Sequence, residues 1–140
     1  MTHNHPEGVR GAQAVALSVY LARRGAKKIE IRQEITAQFG YDLTRTAEEV
    51  RSVYSFDVSC QGSVPESIIC FLDSDDFESS VRLAISLGGD ADTMACIAGG
   101  ISEAYYGGIP ELLASSVRGF LASDLLEVVD RFRARYCRGT

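Results

Sequence analysis

Apolar residues in this 140-residue chain recur every three or four positions and never settle into sustained two-residue alternation. Ile31, Ile35 and Phe39 show the spacing most plainly. A helix brings residues i, i+3 and i+4 onto one face, whereas a strand brings i and i+2 together. The pattern predicts an all-α fold, a multi-helix orthogonal bundle, and gives no support to the strand–helix–strand units of a parallel sheet. No tandem repeat, linker or low-complexity stretch interrupts it, so residues 1–140 are expected to form a single domain.

Start and stop signals divide the chain into helices. Pro6 and Glu7 suit a first turn, where a missing N–H costs nothing and an acid meets the positive helix end. That helix is expected to reach about Arg24, with Ala12, Val15, Ala16 and Val19 facing inward and Gly25 closing it. The second helix should stop at Gly40. Thr46 and Glu49 have capping-box spacing and open a short helix carrying Val50, Val53 and Tyr54. Residues 56–62 read as irregular. Ser63 and Glu66 then read as a second capping box, with Pro65 in the first turn ahead of Ile68, Ile69, Phe71 and Leu72.

The acidic run Asp73 to Asp76 lacks the glycine and distal glutamate of a calcium loop and reads as a turn that caps the next helix. That helix carries Phe77, Val81, Ala84 and Ile85 and ends at Gly88-Gly89. Another runs from Asp92 to Tyr106, with Gly107-Gly108 as its stop and Pro110 beyond. Gly99 and Gly100 inside it each cost about 1 kcal/mol against alanine. Close approach of a neighbouring helix is the expected offset. Leu112 and Leu113 begin a short segment. The last helix, near 123–136, shows Leu125, Val128, Val129 and Phe132.

Charge and cysteine usage narrow the function classes. The net charge is −5, with acids and bases interspersed. With no basic stripe, binding to a nucleic-acid backbone is disfavoured. Cys60, Cys70, Cys96 and Cys137 match no zinc or haem spacing. Three of them lie in apolar helical runs, where cysteine acts as a small buried hydrophobe. A reduced, cytoplasmic setting is expected. The N-terminus has no apolar signal region, and no apolar run approaches the roughly 20 residues that cross a bilayer.

Leu87-Gly88-Gly89-Asp90-Ala91-Asp92-Thr93 is the stretch with chemistry. Two carboxylates and a hydroxyl at a loop-to-helix junction present three oxygen ligands to one place. Hard divalent ions such as Mg²⁺, and also Mn²⁺, take such ligands. The glycines let the chain turn tightly before them. The plainer alternative is that Asp92 is an N-cap and Asp90 merely favours the helix dipole. Spacing alone favours that alternative. The clustering counts against it, because two acids this close repel and a cap needs only one.

Gly88 to Thr93, followed by Ala98-Gly99-Gly100 and Ala104-Tyr105-Tyr106-Gly107, resembles the C-terminal signature of the ADP-ribosylglycohydrolases. Further landmarks of that family appear in order: Thr2 to Gly8 with Gly11-Ala12-Gln13-Ala14, then Phe39 to Leu43, then Cys60 to Glu66. The resemblance implies an all-α fold around two Mg²⁺ or Mn²⁺ ions. It also implies cleavage of the glycosidic bond between ADP-ribose and a protein side chain or other acceptor. On this analogy Asp90, Asp92 and Thr93 are metal ligands, and His5 lies by the ADP-ribose diphosphate or ribose.

The resemblance also implies a departure. Family members are about twice as long, at roughly 150 residues per domain, and this chain corresponds to the C-terminal half. The family's other ligands, a Thr-Asp-Asp cluster, and its acidic residue near the glycosidic carbon belong to the N-terminal half. Asp75-Asp76 follows a serine and is a poor substitute. Met1 falls just before the His3-Asn4-His5 landmark, as if translation began inside a longer gene or the gene were split.

Two expectations of different class follow. One is a metal-dependent hydrolase that needs a separate N-terminal polypeptide to complete its site. The other is a catalytically inactive remnant that binds metal or ADP-ribose, or acts as a protein-interaction module, with an exposed apolar face that favours a partner or self-association. Among the other candidates, Tyr105 and Tyr106 fit packing with a wet hydroxyl better than stacking on adenine. Ser63 and Cys60 lack a histidine that would make either a nucleophile.

Overall fold

The structure, a computed structural model, describes residues 4–57 and 59–136. Among them are eight helices and no strand: α1 (Pro6–Arg23), α2 (Lys28–Phe39), α3 (Ala47–Val53), α4 (Cys60–Asp73), α5 (Phe77–Ser86), α6 (Ala91–Tyr106), α7 (Glu111–Arg118) and α8 (Ser123–Tyr136). No described helix is long and apolar enough to cross a membrane.

Most boundaries follow the local chemistry read from the sequence. Thr46 Oγ1 accepts from the Glu49 N–H at 3.2 Å, and the Glu49 carboxylate accepts from the Thr46 N–H at 2.7 Å. Asp76 Oδ1 accepts from Ser79 N at 2.7 Å, so the acidic turn does cap α5. Gly40 and Gly107 close α2 and α6 with φ of 65° and 81°, a conformation glycine adopts without strain.

The start of α4 differs from expectation. It begins at Cys60, with Ser59 as the N-cap whose Oγ accepts from Gly62 N at 3.1 Å. Asp57 sets this up by accepting from Ser59 N at 2.7 Å. Ser63 is therefore not a cap. Its Oγ donates back to Ser59 O at 2.8 Å, inside the helix. Pro65 also lies inside the helix rather than in its first turn. The carbonyl it leaves without an N–H partner is that of Gln61, an exposed residue open to water.

Helix α4 is the centre of the fold. Every residue from Ser63 to Leu72 is buried, as suits a helix surrounded on all sides. Helices α1, α3, α5 and α6 pack against it. Ile68, Ile69 and Phe71 meet Ile31, Ile35, Leu43, Val50, Met94 and Ile101 in one continuous core. Fully burying a side chain of this size contributes roughly 1.5–3 kcal/mol.

The inward face of α1 is also displaced from expectation. Gly11, Ala14, Ser18 and Ala22 are buried, whereas Ala12 and Ala16 are exposed and Val15 and Val19 are half-buried. Small residues win this face because α1 lies tightly on α4. A Cβ at Gly11 would come 3.1 Å from Val64 Cγ2. The expected close approach at Gly99-Gly100 is milder. A Cβ at Gly99 would sit 3.4 Å from Val81 Cγ2 on α5, and one at Gly100 would meet nothing within 4 Å.

Cys70 is buried, and desolvation pushes its thiol up to about 12. Cys60 is half-buried, but Cys96 is exposed, contrary to its reading as a buried hydrophobe. Helices α7 and α8 contain no buried residue. Leu125, Val128, Val129 and Phe132 form the expected apolar stripe of α8, yet the stripe is exposed.

Candidate metal centre

Gly88 and Gly89 have φ of 77° and 64°, so the chain leaves α5 through two successive left-handed residues. The tightness at Gly89 comes from the segment behind α3. A Cβ there would lie 2.8 Å from Tyr54 Cε1 and 3.3 Å from the Phe56 backbone. Tyr54 and Phe56 thus brace the turn that delivers Asp90.

Asp90 occupies the N-cap position of α6, but its side chain makes no capping hydrogen bond. Asp92 lies in the first turn and is exposed. Its carboxyl is held below the usual carboxylate range by a hydrogen bond shared with the Asp90 side chain and then by the Thr93 N–H, which Asp92 Oδ1 accepts at 3.0 Å. Neither acid therefore does the work of an ordinary N-cap. The two carboxylates lie together at the positive end of a 16-residue helix, with the exposed Thr93 beside them.

A further layer surrounds this turn. The Tyr54 hydroxyl is buried and has no hydrogen-bond partner among the described residues. Burial raises its pKa first, and the nearby Asp57, Glu66 and Asp90 carboxylates raise it further. Glu66 is held by a bidentate contact from Arg45 Nη2, 3.0 Å to each carboxylate oxygen. Burial still pushes the Glu66 carboxyl above its ordinary range, against the pull of Arg45. Asp57 closes over Gly62, where a Cβ would fall 2.0 Å from Asp57 Oδ2. The sequence reading missed Tyr54 as a neighbour of Asp90, and Asp57 and Arg45 as parts of the layer around Tyr54 and Glu66. The one available signal was Glu66, a charge inside the otherwise apolar run from Val64 to Leu72.

His5 is the N-cap of α1, and its Nδ1 accepts from Glu7 N at 3.3 Å. Used as an acceptor at Nδ1, the neutral ring carries its proton on Nε2. Val19 and Arg23 of α1 line one cleft with Gly100, Glu103 and Gly107, so the C-terminal parts of α1 and α6 lie near each other. The N-terminal part of α1 also meets the start of α4, at Gly11 and Cys60. The N-termini of α1, α4 and α6 thus share one end of the bundle, with His5 and Asp90 both at that end. His3 and Cys137 lie outside the described residues.

Tyr105 and Tyr106 are at the other end of α6, about 20 Å away at 1.5 Å per residue. The Tyr106 hydroxyl donates to Ser74 O at 2.8 Å, and both rings lie against the Lys28 ammonium, 5.7 and 5.4 Å from their centroids. The packing role expected for them is what they perform.

Two carboxylates and one hydroxyl at the start of α6 fit one side of a hard-cation site. Among the described residues no three His, Cys, Asp or Glu side chains group to hold an ion by themselves.

The family model for ADP-ribosylglycohydrolase matches residues 1–139 of this chain. The chain belongs to the ADP-ribosylglycohydrolase family. The all-helical architecture agrees with that membership. Among curated proteins, ADP-ribosylhydrolase ARH3 of Homo sapiens is 36% identical over 94 residues, covering 58% of this chain and 26% of that protein. ADP-ribosylhydrolase ARH3 of Bos taurus gives the same figures, and that of Mus musculus is 37% identical over 92 residues, covering 56% of this chain and 25% of its own length. The chain thus spans about a quarter of the length of the ADP-ribosylglycohydrolase relatives it matches. No solved structure gives a significant match.

Proposed function

We propose that this chain is a partial domain that supplies one side of the active site of an ADP-ribosylglycohydrolase. In this reading it takes part in hydrolysing the glycosidic bond between ADP-ribose and an acceptor. The carrying observation is the turn at Asp90: two carboxylates brought together at a helix start, neither used as an ordinary cap. Family membership and the ARH3 relatives support the reaction class. Ligands from a second polypeptide, or from sequence outside this chain, complete the site.

Asp90, Asp92 and the Thr93 hydroxyl would hold Mg²⁺ or Mn²⁺ from the α6 side. A bound ion would supply Lewis acidity to orient sugar hydroxyls and activate water. The protein's own groups do the positioning. Tyr54 and Phe56 fix the turn at Gly89, and Arg45 steadies the Glu66 carboxylate behind it. The N-termini of α1 and α6 offer unpaired N–H groups and positive partial charge toward an anionic substrate. His5, with its Nε2–H free to donate, suits a diphosphate oxygen or a ribose hydroxyl.

The test is complementation. This chain, mixed with an N-terminal half carrying the Thr-Asp-Asp cluster, should release ADP-ribose from an ADP-ribosylated substrate only with Mg²⁺ or Mn²⁺ present. Asp92→Ala should abolish the release. Absence of metal-dependent release, or release untouched by Asp92→Ala, would refute the reading. A second reading, a catalytically inactive remnant that binds metal or ADP-ribose, is favoured by the lack of a three-residue ligand group among the described residues. It predicts metal binding without release in the same mixture.

A further inference from the structure

Helix α8 has an apolar face that the rest of the described chain does not cover. Leu125, Val128, Val129, Phe132 and Tyr136 fall within one stripe of about 100° at 3.6 residues per turn. Val128 is 62% exposed and Phe132 is 58% exposed. The Phe132 and Tyr136 rings pack against each other along the stripe, tilted by 46° with centroids 4.9 Å apart. Singly exposed apolar residues need no explanation, but a continuous stripe of this kind marks a contact surface.

The charges on the same helix say what fits that surface. Asp124, Glu127 and Asp130 occupy its first part, and Arg131, Arg133 and Arg135 its second. Asp130 is committed to Arg118, with contacts of 2.7 and 2.8 Å, and Arg131 faces Glu127 within the helix at 3.6 Å. Asp124 and Arg135 have no ion-pair partner among the described residues. They are eleven residues apart, just over three full turns, so they lie on the same flank of the apolar stripe. Acid before base also suits the helix's own dipole. The dipole gives no reason for an uncovered apolar stripe between them.

We propose that α8 pairs with α8 of a second copy of this chain, antiparallel, around a two-fold axis near its midpoint. In that arrangement the same flank of each helix meets its counterpart. Asp124 of each copy then stands opposite Arg135 of the other, and the stripes from Leu125 to Tyr136 close on one another. A parallel pair would instead set each flank against the opposite flank of its partner, with Asp124 and Arg135 just over three turns apart in height, so the two could not meet. Phe132 and Arg133 border a cleft of about 530 Å³ whose other walls include Arg23 of α1 and Gly107 at the end of α6, so α8 lies near the C-terminal ends of those helices. Pairing there leaves the Asp90 end of the bundle free, so this inference stands apart from the proposed hydrolase role.

Fourteen helical residues make a small interface, so association in the micromolar range is expected. Sedimentation equilibrium of the full chain should show a dimer that weakens as NaCl rises. Phe132→Glu, at an exposed position, should give a monomer with unchanged helical circular dichroism and unchanged Mn²⁺ affinity. Asp124→Arg and Arg135→Asp should each weaken the dimer at least fivefold, and the two together in one chain should restore it. A chain that stays monomeric at 100 micromolar, on the order of a hundredfold above such an affinity, overturns the proposal. So does a dimer indifferent to Asp124→Arg, or a double swap that fails to restore pairing.

Discussion

Replacing Gly89 by alanine tests how the ligand turn is held. Gly89 has φ of 64°, where a residue with a Cβ pays about 1–2 kcal/mol. The added Cβ would also lie 2.8 Å from Tyr54 Cε1 and 3.3 Å from the Phe56 Cα. The ring can give way, but the backbone of Phe56 yields only if the segment moves. Crowding of this kind costs about 1–3 kcal/mol more. Gly88 is the internal control: its φ is 77°, but a Cβ there would meet nothing within 4 Å. Gly88→Ala should therefore lose only the conformational part. Urea denaturation should show Gly89→Ala as the less stable variant by about 1–3 kcal/mol. In a Tyr54→Ala background the excess should shrink, a coupling of about 0.5–3 kcal/mol between touching residues. Gly89→Ala should also weaken Mn²⁺ binding by shifting Asp90 relative to Asp92. Equal losses at the two glycines would refute the bracing role given to Tyr54 and Phe56.

Arg45→Ala should cost about 1–3 kcal/mol, below the range for a fully buried pair because the Arg45 side chain is 34% exposed against 12% for Glu66. Since burial raises the Glu66 pKa in the folded state, its protonation favours folding: that contribution is complete below the ordinary value of 4.5 and fades as pH rises through the raised one. The Arg45→Ala penalty, followed by urea denaturation between pH 4 and pH 7, should therefore be smaller at pH 4; a constant penalty would contradict this. In the native protein a thiol reagent should modify exposed Cys96 well before Cys70, whose buried thiol is pushed up to about 12. Equal rates for the two would contradict the burial of Cys70.

How much of this was legible in the sequence depended on how local the cause was. The boxes and stops at Thr46, Asp76, Gly40 and Gly107 are set by residues within one turn of each other, and all appear in the structure. The inward face of α1 was not legible, because close packing on α4 at Gly11 selects small residues that a search for large apolar ones passes over. The start of α4 was misplaced for a similar reason. Pro65 signals a first turn, but Asp57 and Ser59 begin the helix earlier and an exposed carbonyl tolerates the proline. At the candidate site the clustering of Asp90, Asp92 and Thr93 was visible at once. Tyr54 and Phe56 were not, since only the folded chain brings them against Gly89.

The account turns on Asp90 and Asp92 binding a divalent ion together. Titrating Mn²⁺ into the chain, with the free ion followed by electron paramagnetic resonance, tests that directly. The signal should fall as the ion binds, Mg²⁺ should compete, and Asp90→Asn and Asp92→Asn should each weaken binding at least tenfold, about 1.4 kcal/mol. If both variants bind Mn²⁺ as the unmodified chain does, or if the unmodified chain binds none, Asp90 and Asp92 are a helix start and not a metal site.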